Sequence, residues 1–133
     1  MIGLDTNVLV RHFAQDDARQ SAAATKLIKT ECTNEEPGFI SLVVLAELVW
    51  VLERAYRYDR PQIEQLIRRI LTVDDFAVEN SELAWRALNE FQHGGADFAD
   101  YLIGLAGAAA KAEATCTFDV RSAQSPLFRL VKA

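Results

Sequence analysis

The stretch that decides the fold is MIGLDTNVLV, residues 1–10. Residues 2–4 read as a short buried strand, and the apolar pattern continues from Val8 onward. A single carboxylate, Asp5, stands between these two apolar runs. Because burying an unpaired carboxylate is costly, Asp5 needs a partner, a ligand or an exposed strand end. Two roles are open for it: the N-cap of the next helix, or a ligand-binding acid at the carboxyl end of a parallel strand.

Length and composition set the class of protein. The chain has 133 residues, of which half are hydrophobic and a quarter charged, and its formal net charge is -5. We expect one domain over residues 1–133, with a core large enough to need no disulfide framework. The negative charge argues against broad, nonspecific nucleic-acid binding, but not against a nuclease whose acidic site is neutralised by cations. No signal peptide opens the chain and no apolar run reaches transmembrane length, so we expect a cytoplasmic protein with no membrane association.

Apolar spacing beyond residue 10 predicts helices that alternate with short strands. The predicted helices cover about 8–14, 18–30, 42–58, 61–71, 81–92 and 98–111, and the later strands about 39–40, 76–78, 115–118 and 127–131. This alternation predicts an α/β fold with a short parallel sheet and helices on both of its faces. Small residues in the last helix predict close packing against the sheet or another helix.

The helix that begins LVVLAELVWVL, residues 42–52, contains ten apolar residues in eleven. A helix that is apolar all round is expected to be buried on nearly all sides. Glu47 is then a second lone acid in an apolar setting, and Trp50 is expected in the core, with a groove for a partner protein as the alternative.

Further acids follow the later elements. Asp97 and Asp100 open the last long helix, and Asp119 ends the fourth strand. Strand ends and the helix starts that follow them share one edge of a parallel sheet, so we expect these acids to meet Asp5 and Glu47 there. The alternatives are local: Asp97 as an N-cap, Asp100 as an acid favoured by the helix dipole, and Asp119 as a turn residue.

Such a cluster of carboxylates needs a cation. Two carboxylates about 4 Å apart repel by about 1 kcal/mol in water and by about 4 kcal/mol at an effective dielectric near 20. Several together would take up protons or bind a hard cation such as Mg²⁺, Mn²⁺ or Ca²⁺. Divalent ions at carboxylates commonly activate water and stabilise phosphoryl oxygens.

Four stretches together resemble the PIN-domain family, and within it the VapC-type toxins of type II toxin–antitoxin pairs. They are LDTNVLVR, ISLVVLAELVWVL, GADFADYLIG and TCTFD, which follow the family's order and spacing over nearly the whole chain. The resemblance implies an α/β/α sandwich with a parallel sheet and a metal-dependent endoribonuclease. It places the family's metal-site acids on Asp5, Glu47, Asp100 and Asp119, an accessory acid on Asp97, a supporting hydroxyl on Thr117 and a polar position facing the site on Ser41.

The resemblance also implies a mechanism and partners. One or two Mg²⁺ or Mn²⁺ ions would lower the pKa of a water that attacks the RNA phosphodiester, leaving a 5′-phosphate and a 3′-hydroxyl. Either Asp100, acting as a base, or a hydroxide on the metal could deliver the nucleophile. The implied partners are a second copy of the chain in a homodimer and a VapB-like antitoxin, whose basic segment would suit the negative charge of this chain.

Two arginines lie close to the candidate acids in sequence. Arg11 follows the first strand and Arg121 follows Asp119. Each could contact an RNA phosphate or a carboxylate, and a solvated or salt-bridged arginine is the alternative.

Three other functions are compatible with parts of the pattern. A catalytically silent binding module would keep the fold without the reaction. A phosphatase of the haloacid-dehalogenase type needs D-x-D-x-[TV], but this chain has Asn7 at the second acid position. A response-regulator receiver needs an isolated Asp after a middle strand, which neither residues 39–41 nor residues 76–79 provide.

Overall fold

The computed structural model describes residues 1–133 and contains six α-helices and four short strands. The chain divides into two compact units, Met1–Ser81 and Glu82–Ala133. In chain order the elements are α1 Thr6–Ala14, α2 Ala18–Glu31, β1 Gly38–Ile40, α3 Leu42–Ala55, α4 Arg60–Thr72, β2 Phe76–Val78, α5 Ser81–His93, α6 Phe98–Ala109, β3 Thr115–Thr117, a 3₁₀ turn Ser122–Gln124, and β4 Phe128–Leu130. None of the helices has both the length and the apolar character needed to cross a membrane.

The first unit contains a parallel strand pair and the N-terminal residues beside it. β1 and β2 pair in parallel, with Gly38 opposite Phe76. Residues 2–4 lie along the other edge of β1, where Gly3 bridges Phe39 and the Leu4 N–H donates to the Phe39 carbonyl at 2.9 Å. The predicted first strand is therefore present as a single bridge flanked by hydrogen bonds. Helix α1 packs against α2 and α3.

The second unit holds the other parallel pair. β3 and β4 pair in parallel, with Thr115 opposite Phe128, and α6 packs against β3. The small residues of α6 permit this approach: a Cβ on Gly104 would lie 2.8 Å from the Phe128 ring, and one on Gly107 would lie 2.6 Å from Thr115 Oγ1. The prediction that small residues in this helix allow close packing is confirmed.

The predicted α/β class and the parallel pairing of strands are confirmed, and most element bounds agree within one to three residues. Helix α1 begins at Thr6, two residues earlier than predicted, because Asp5 in extended conformation caps it. The hydrogen-bonded strands form two pairs, one in each unit.

The prediction that α3 is buried on nearly all sides is wrong. Leu45, Leu48 and their apolar neighbours on one side are buried, but Val43 is 69% exposed and Trp50 is 59% exposed. Glu47 lies between them on the same exposed face, since the three are spaced by four and three residues. The Trp50 ring is instead covered in part by the Arg54 guanidinium, 5.6 Å from its centroid. The core position predicted for Trp50 is therefore wrong too.

Filling the contact between α6 and β4 is expected to destabilise the protein. Gly104→Ala adds a methyl group against Phe128, and such overpacking costs about 1–3 kcal/mol. The higher helix propensity of Ala offsets about 1 kcal/mol of this. We therefore expect the free energy of unfolding, measured with urea, to fall by up to about 2 kcal/mol. Gly95→Ala is the control because nothing lies within 4 Å of its added Cβ, and an equal loss there would contradict the packing explanation.

Candidate functional site

The first unit brings two of the predicted acids together through one threonine. Asp5 Oδ1 accepts a hydrogen bond of 2.8 Å from the Thr6 N–H. The Thr6 hydroxyl donates to Glu47 Oε1 at 2.9 Å, across 41 positions of sequence. Thr6 itself is buried, whereas both carboxylates are exposed. The two acids therefore contact the same residue, Asp5 through the Thr6 N–H and Glu47 through the Thr6 hydroxyl, and both carboxylates stay exposed to solvent.

Local sequence and helix packing explain this arrangement. Asp5 directly follows the strand-like residues 2–4 and caps α1, so its side chain lies at the start of that helix. Because α1 packs against α3, Thr6 in the first turn of α1 reaches Glu47 on α3. The sequence predicted the two acids but not the threonine between them. The signal for Thr6 was its place in the Asp-Thr-Asn run, which is typical of strand-to-helix transitions.

The second unit gathers acids around the start of α6. Asp97 is the N-cap of this helix, and its N–H donates to Asp100 Oδ2 at 3.2 Å. Asp100 is half-buried, and burial is the main cause that raises the pKa of its carboxyl group above the ordinary value. The negative charges of Asp97 and Asp119 raise the pKa of Asp100 further, while hydrogen bonds from the Asp97 backbone and from Ser122 act against this.

Asp119 is held in a different way. The Ser122 hydroxyl donates to Asp119 Oδ2 at 2.7 Å, and the Ser122 N–H donates to the same oxygen at 3.1 Å. These bonds stabilise the charged form and are the largest cause of the lowered pKa of Asp119. On the backbone side, the Asp119 N–H donates to Thr117 Oγ1 at 3.0 Å, so the predicted supporting hydroxyl does contact this acid.

Ser122 is a site residue that sequence reasoning missed. Its side chain is 0% exposed, yet its hydroxyl contacts one candidate acid and influences the other. Two acids in one place with opposite pKa shifts are a common feature of acid–base sites. The only available signal was a serine three residues after Asp119, the spacing at which an aspartate accepts from a following backbone N–H.

The remaining predicted residues have local roles. Ser41 caps α3, where its Oγ accepts from the Val44 N–H at 3.1 Å. Arg11 forms an ion pair of 2.9 Å with Asp16, which is the salt-bridged alternative that the sequence left open for it. Arg121 is exposed, and its charge contributes to the lowered pKa of Asp119.

The donors fit a hard divalent cation by chemistry. All are carboxylate or hydroxyl oxygens, the ligands that Mg²⁺ and Mn²⁺ prefer. Burial is the main cause of the raised pKa of Asp100, and the charges of Asp97 and Asp119, which a cation would neutralise, add to it. The number of ligands is smaller than a metal site usually has, because neither unit contains three or more His, Cys, Asp or Glu side chains grouped closely enough to hold a metal ion. The structure thus organises the acids as Asp5 with Glu47 in one unit, and Asp97, Asp100 and Asp119 in the other.

Removing the Ser122 hydroxyl is expected to raise the pKa of Asp119 toward its ordinary value of 3.8. A carboxyl group whose pKa is lowered in the folded state stabilises the fold above its unfolded pKa, and this contribution is lost as the pH falls through the folded pKa. Ser122→Ala should therefore cost more unfolding free energy at neutral pH than in strong acid. NMR titration of the carboxyl group and urea unfolding at several pH values measure both effects. Ser125→Ala is the control, and a pKa of Asp119 unchanged in Ser122→Ala would contradict this role.

The chain matches a known protein family. A family model described as the PIN domain matches residues 2–124, nearly the whole chain and residues of both units. No curated protein matches the sequence.

Proposed function

Because the chain belongs to the PIN domain family, whose members are generally nucleases, we propose that it is a metal-dependent endoribonuclease and the toxin of a VapC-type toxin–antitoxin pair. The observation that carries the proposal is that acids far apart in sequence are paired within each unit. Asp5 and Glu47 both bond to Thr6, and Ser122 donates to Asp119, whose charge in turn raises the pKa of Asp100.

We propose that Asp5, Glu47, Asp100 and Asp119 bind Mg²⁺ or Mn²⁺ and are all required for one hydrolytic reaction. A divalent ion at such acids activates water and stabilises the negative charge of the phosphate. Thr6 and Ser122 are positioning residues, since each holds a carboxylate by a hydrogen bond from its hydroxyl. Thr117 has the same role toward the Asp119 backbone, and Asp97 toward Asp100.

Asp100 is the preferred general base in this proposal. Its raised pKa makes its carboxylate a better proton acceptor than Asp119, whose pKa is lowered. Asp100 would take the proton of the attacking water, and the reaction would leave a 5′-phosphate and a 3′-hydroxyl. Asp119, which stays charged more readily, would serve as a ligand.

The proposed partners and cellular location come from the same likeness to VapC-type toxins. We propose that residues 1–133 form a single PIN domain that acts in the cytoplasm as a homodimer and is inhibited by a VapB-like antitoxin. The net charge of -5 suits a basic antitoxin segment. The exposed Val43 and Trp50 of α3 offer apolar area to a protein partner.

The test is cleavage of total cellular RNA by protein purified free of antitoxin. With Mg²⁺ or Mn²⁺ added, we expect discrete fragments whose sequenced ends carry 5′-phosphates. Intact RNA with both metals would favour the catalytically silent binding module, and a phosphorylated aspartate formed with small phosphate esters would favour the phosphatase.

A further inference from the structure

The β3–β4 pair has one face that is covered at Phe128 and one exposed face. Side chains of a strand alternate between the two faces, so residues in register share a face across the pair. On the covered face, Phe128 is buried and lies close to Gly104 of α6. On the other face, Cys116 and Arg129 are opposite one another and exposed, with the Arg129 guanidinium 3.5 Å from Cys116 Sγ.

The exposed face continues beyond both strands with two apolar side chains. Phe118 follows Cys116 in the alternation and is 72% exposed, and Val131 follows Arg129 and is 38% exposed. The Val131 N–H still donates to the Thr117 carbonyl at 2.7 Å, so the pairing extends to this position. We call Cys116, Phe118, Arg129 and Val131 the C-terminal face. A phenyl ring this exposed is unusual for a side chain that proteins mostly bury.

The charge of this region is opposite to that of the rest of the chain. Residues 115–133 contain three basic residues and one acid, whereas the whole chain has a formal net charge of -5. The basic residues are Arg121, Arg129 and Lys132, and all three are exposed. The acid is Asp119, which directly follows Phe118. An exposed aromatic ring among cations is the combination that binds single-stranded nucleic acid, because bases stack on the ring while phosphates pair with the cations.

We propose that the C-terminal face binds single-stranded RNA, with Phe118 stacking on a nucleobase next to the phosphate that is cleaved and Arg129 contacting a backbone phosphate. The inference rests on the proposed ribonuclease function, since Asp119 is one of the acids of that site. Phe118 is a positioning residue in this role. Stacking on the ring requires an unpaired base, so the substrate is single-stranded at the cleavage point.

Binding is measured without cleavage to separate this inference from the reaction. All proteins carry Asp100→Asn and are titrated in Mg²⁺ against a fluorescent RNA oligonucleotide of mixed sequence, with anisotropy as the readout. Adding Phe118→Leu is expected to raise Kd about 10-fold, the effect of losing one stacked base, and Phe118→Trp to retain tight binding. Trp85→Leu, which removes an exposed aromatic ring from α5, is the matched control and is expected to leave Kd unchanged. Arg129→Gln is expected to lower the slope of log Kd against log salt by about 1.

The inference would be overturned if the parent protein did not bind the RNA, or if Phe118→Leu and the parent had equal Kd. It would also be overturned if the parent bound a duplex of the same sequence with the same Kd as the single strand. A fourth contrary result would be loss of self-association in Phe118→Leu with RNA affinity intact. The last result would make the face a protein interface. If wild type cleaves RNA and Phe118→Leu does so with an unchanged KM, the inference about Phe118 is wrong and the proposed function stands. RNA binding that depends on Phe118 without any cleavage by wild type contradicts the proposed function and supports the role of the ring.

Discussion

Asp100→Asn is expected to lower kcat for RNA hydrolysis by about 10²–10⁴-fold, the range for loss of a general base. Asparagine has the same shape as aspartate but neither accepts the proton of the attacking water nor carries the charge that holds a divalent ion. Initial rates with saturating RNA in excess Mg²⁺ measure the effect on kcat. Asp74→Asn is the matched control because Asp74 is an exposed acid in a turn, and we expect its kcat to equal that of wild type.

The same substitution separates loss of function from loss of fold. The raised pKa of Asp100 means that its charged form destabilises the folded state. This destabilisation is absent below the unfolded pKa and is fully present once the pH has risen through the folded pKa. Asparagine carries no charge, so we expect the unfolding free energy of Asp100→Asn at neutral pH to be at least that of wild type. Full RNA cleavage by a folded Asp100→Asn protein would remove Asp100 from the mechanism.

Local patterns were enough to predict most of the fold. Phe76–Val78 was predicted with the observed bounds because an apolar triplet between polar turns has few alternatives. The predicted start of α4 at residue 61 lies one residue from the observed start, where Asp59 and Gln62 form a capping box. Strand ends and helix starts also predicted the positions of Asp5 and Asp97, which cap α1 and α6. These features depend on neighbours in sequence, so the sequence contains them directly.

Most features that the sequence did not predict depend on contacts that the local pattern does not specify. Whether α3 is covered on the side of Val43 and Trp50 depends on which elements pack there, and apolar composition does not specify this. Arg11 reaches both Asp16 and Tyr56, the latter 45 positions away. Thr6 and Ser122 are ordinary polar residues in sequence and become informative only when the acids that they contact are known.

Chelation of divalent ions is expected to abolish RNA cleavage, and excess Mg²⁺ or Mn²⁺ should restore it. Binding should also be visible without any reaction, because a ligand that binds only the folded state stabilises it by RT ln(1 + [L]/Kd), or about 2.7 kcal/mol at 100 times Kd. We therefore expect Mg²⁺ to raise Tm in the absence of RNA. This readout does not depend on finding the correct RNA substrate.

Single substitutions in each carboxylate group then test whether both groups serve the same ion. We expect Asp5→Asn in the first unit and Asp119→Asn in the second each to weaken the Mg²⁺-dependent rise in Tm, because each removes a charged oxygen ligand. Glu82→Gln, an exposed acid in the first turn of α5, is the matched control and should retain the full rise. A rise lost in only one of the two site variants would restrict the ion to that unit. A rise retained in both variants would mean that Mg²⁺ binds elsewhere, and the proposed role of these acids as its ligands would be wrong.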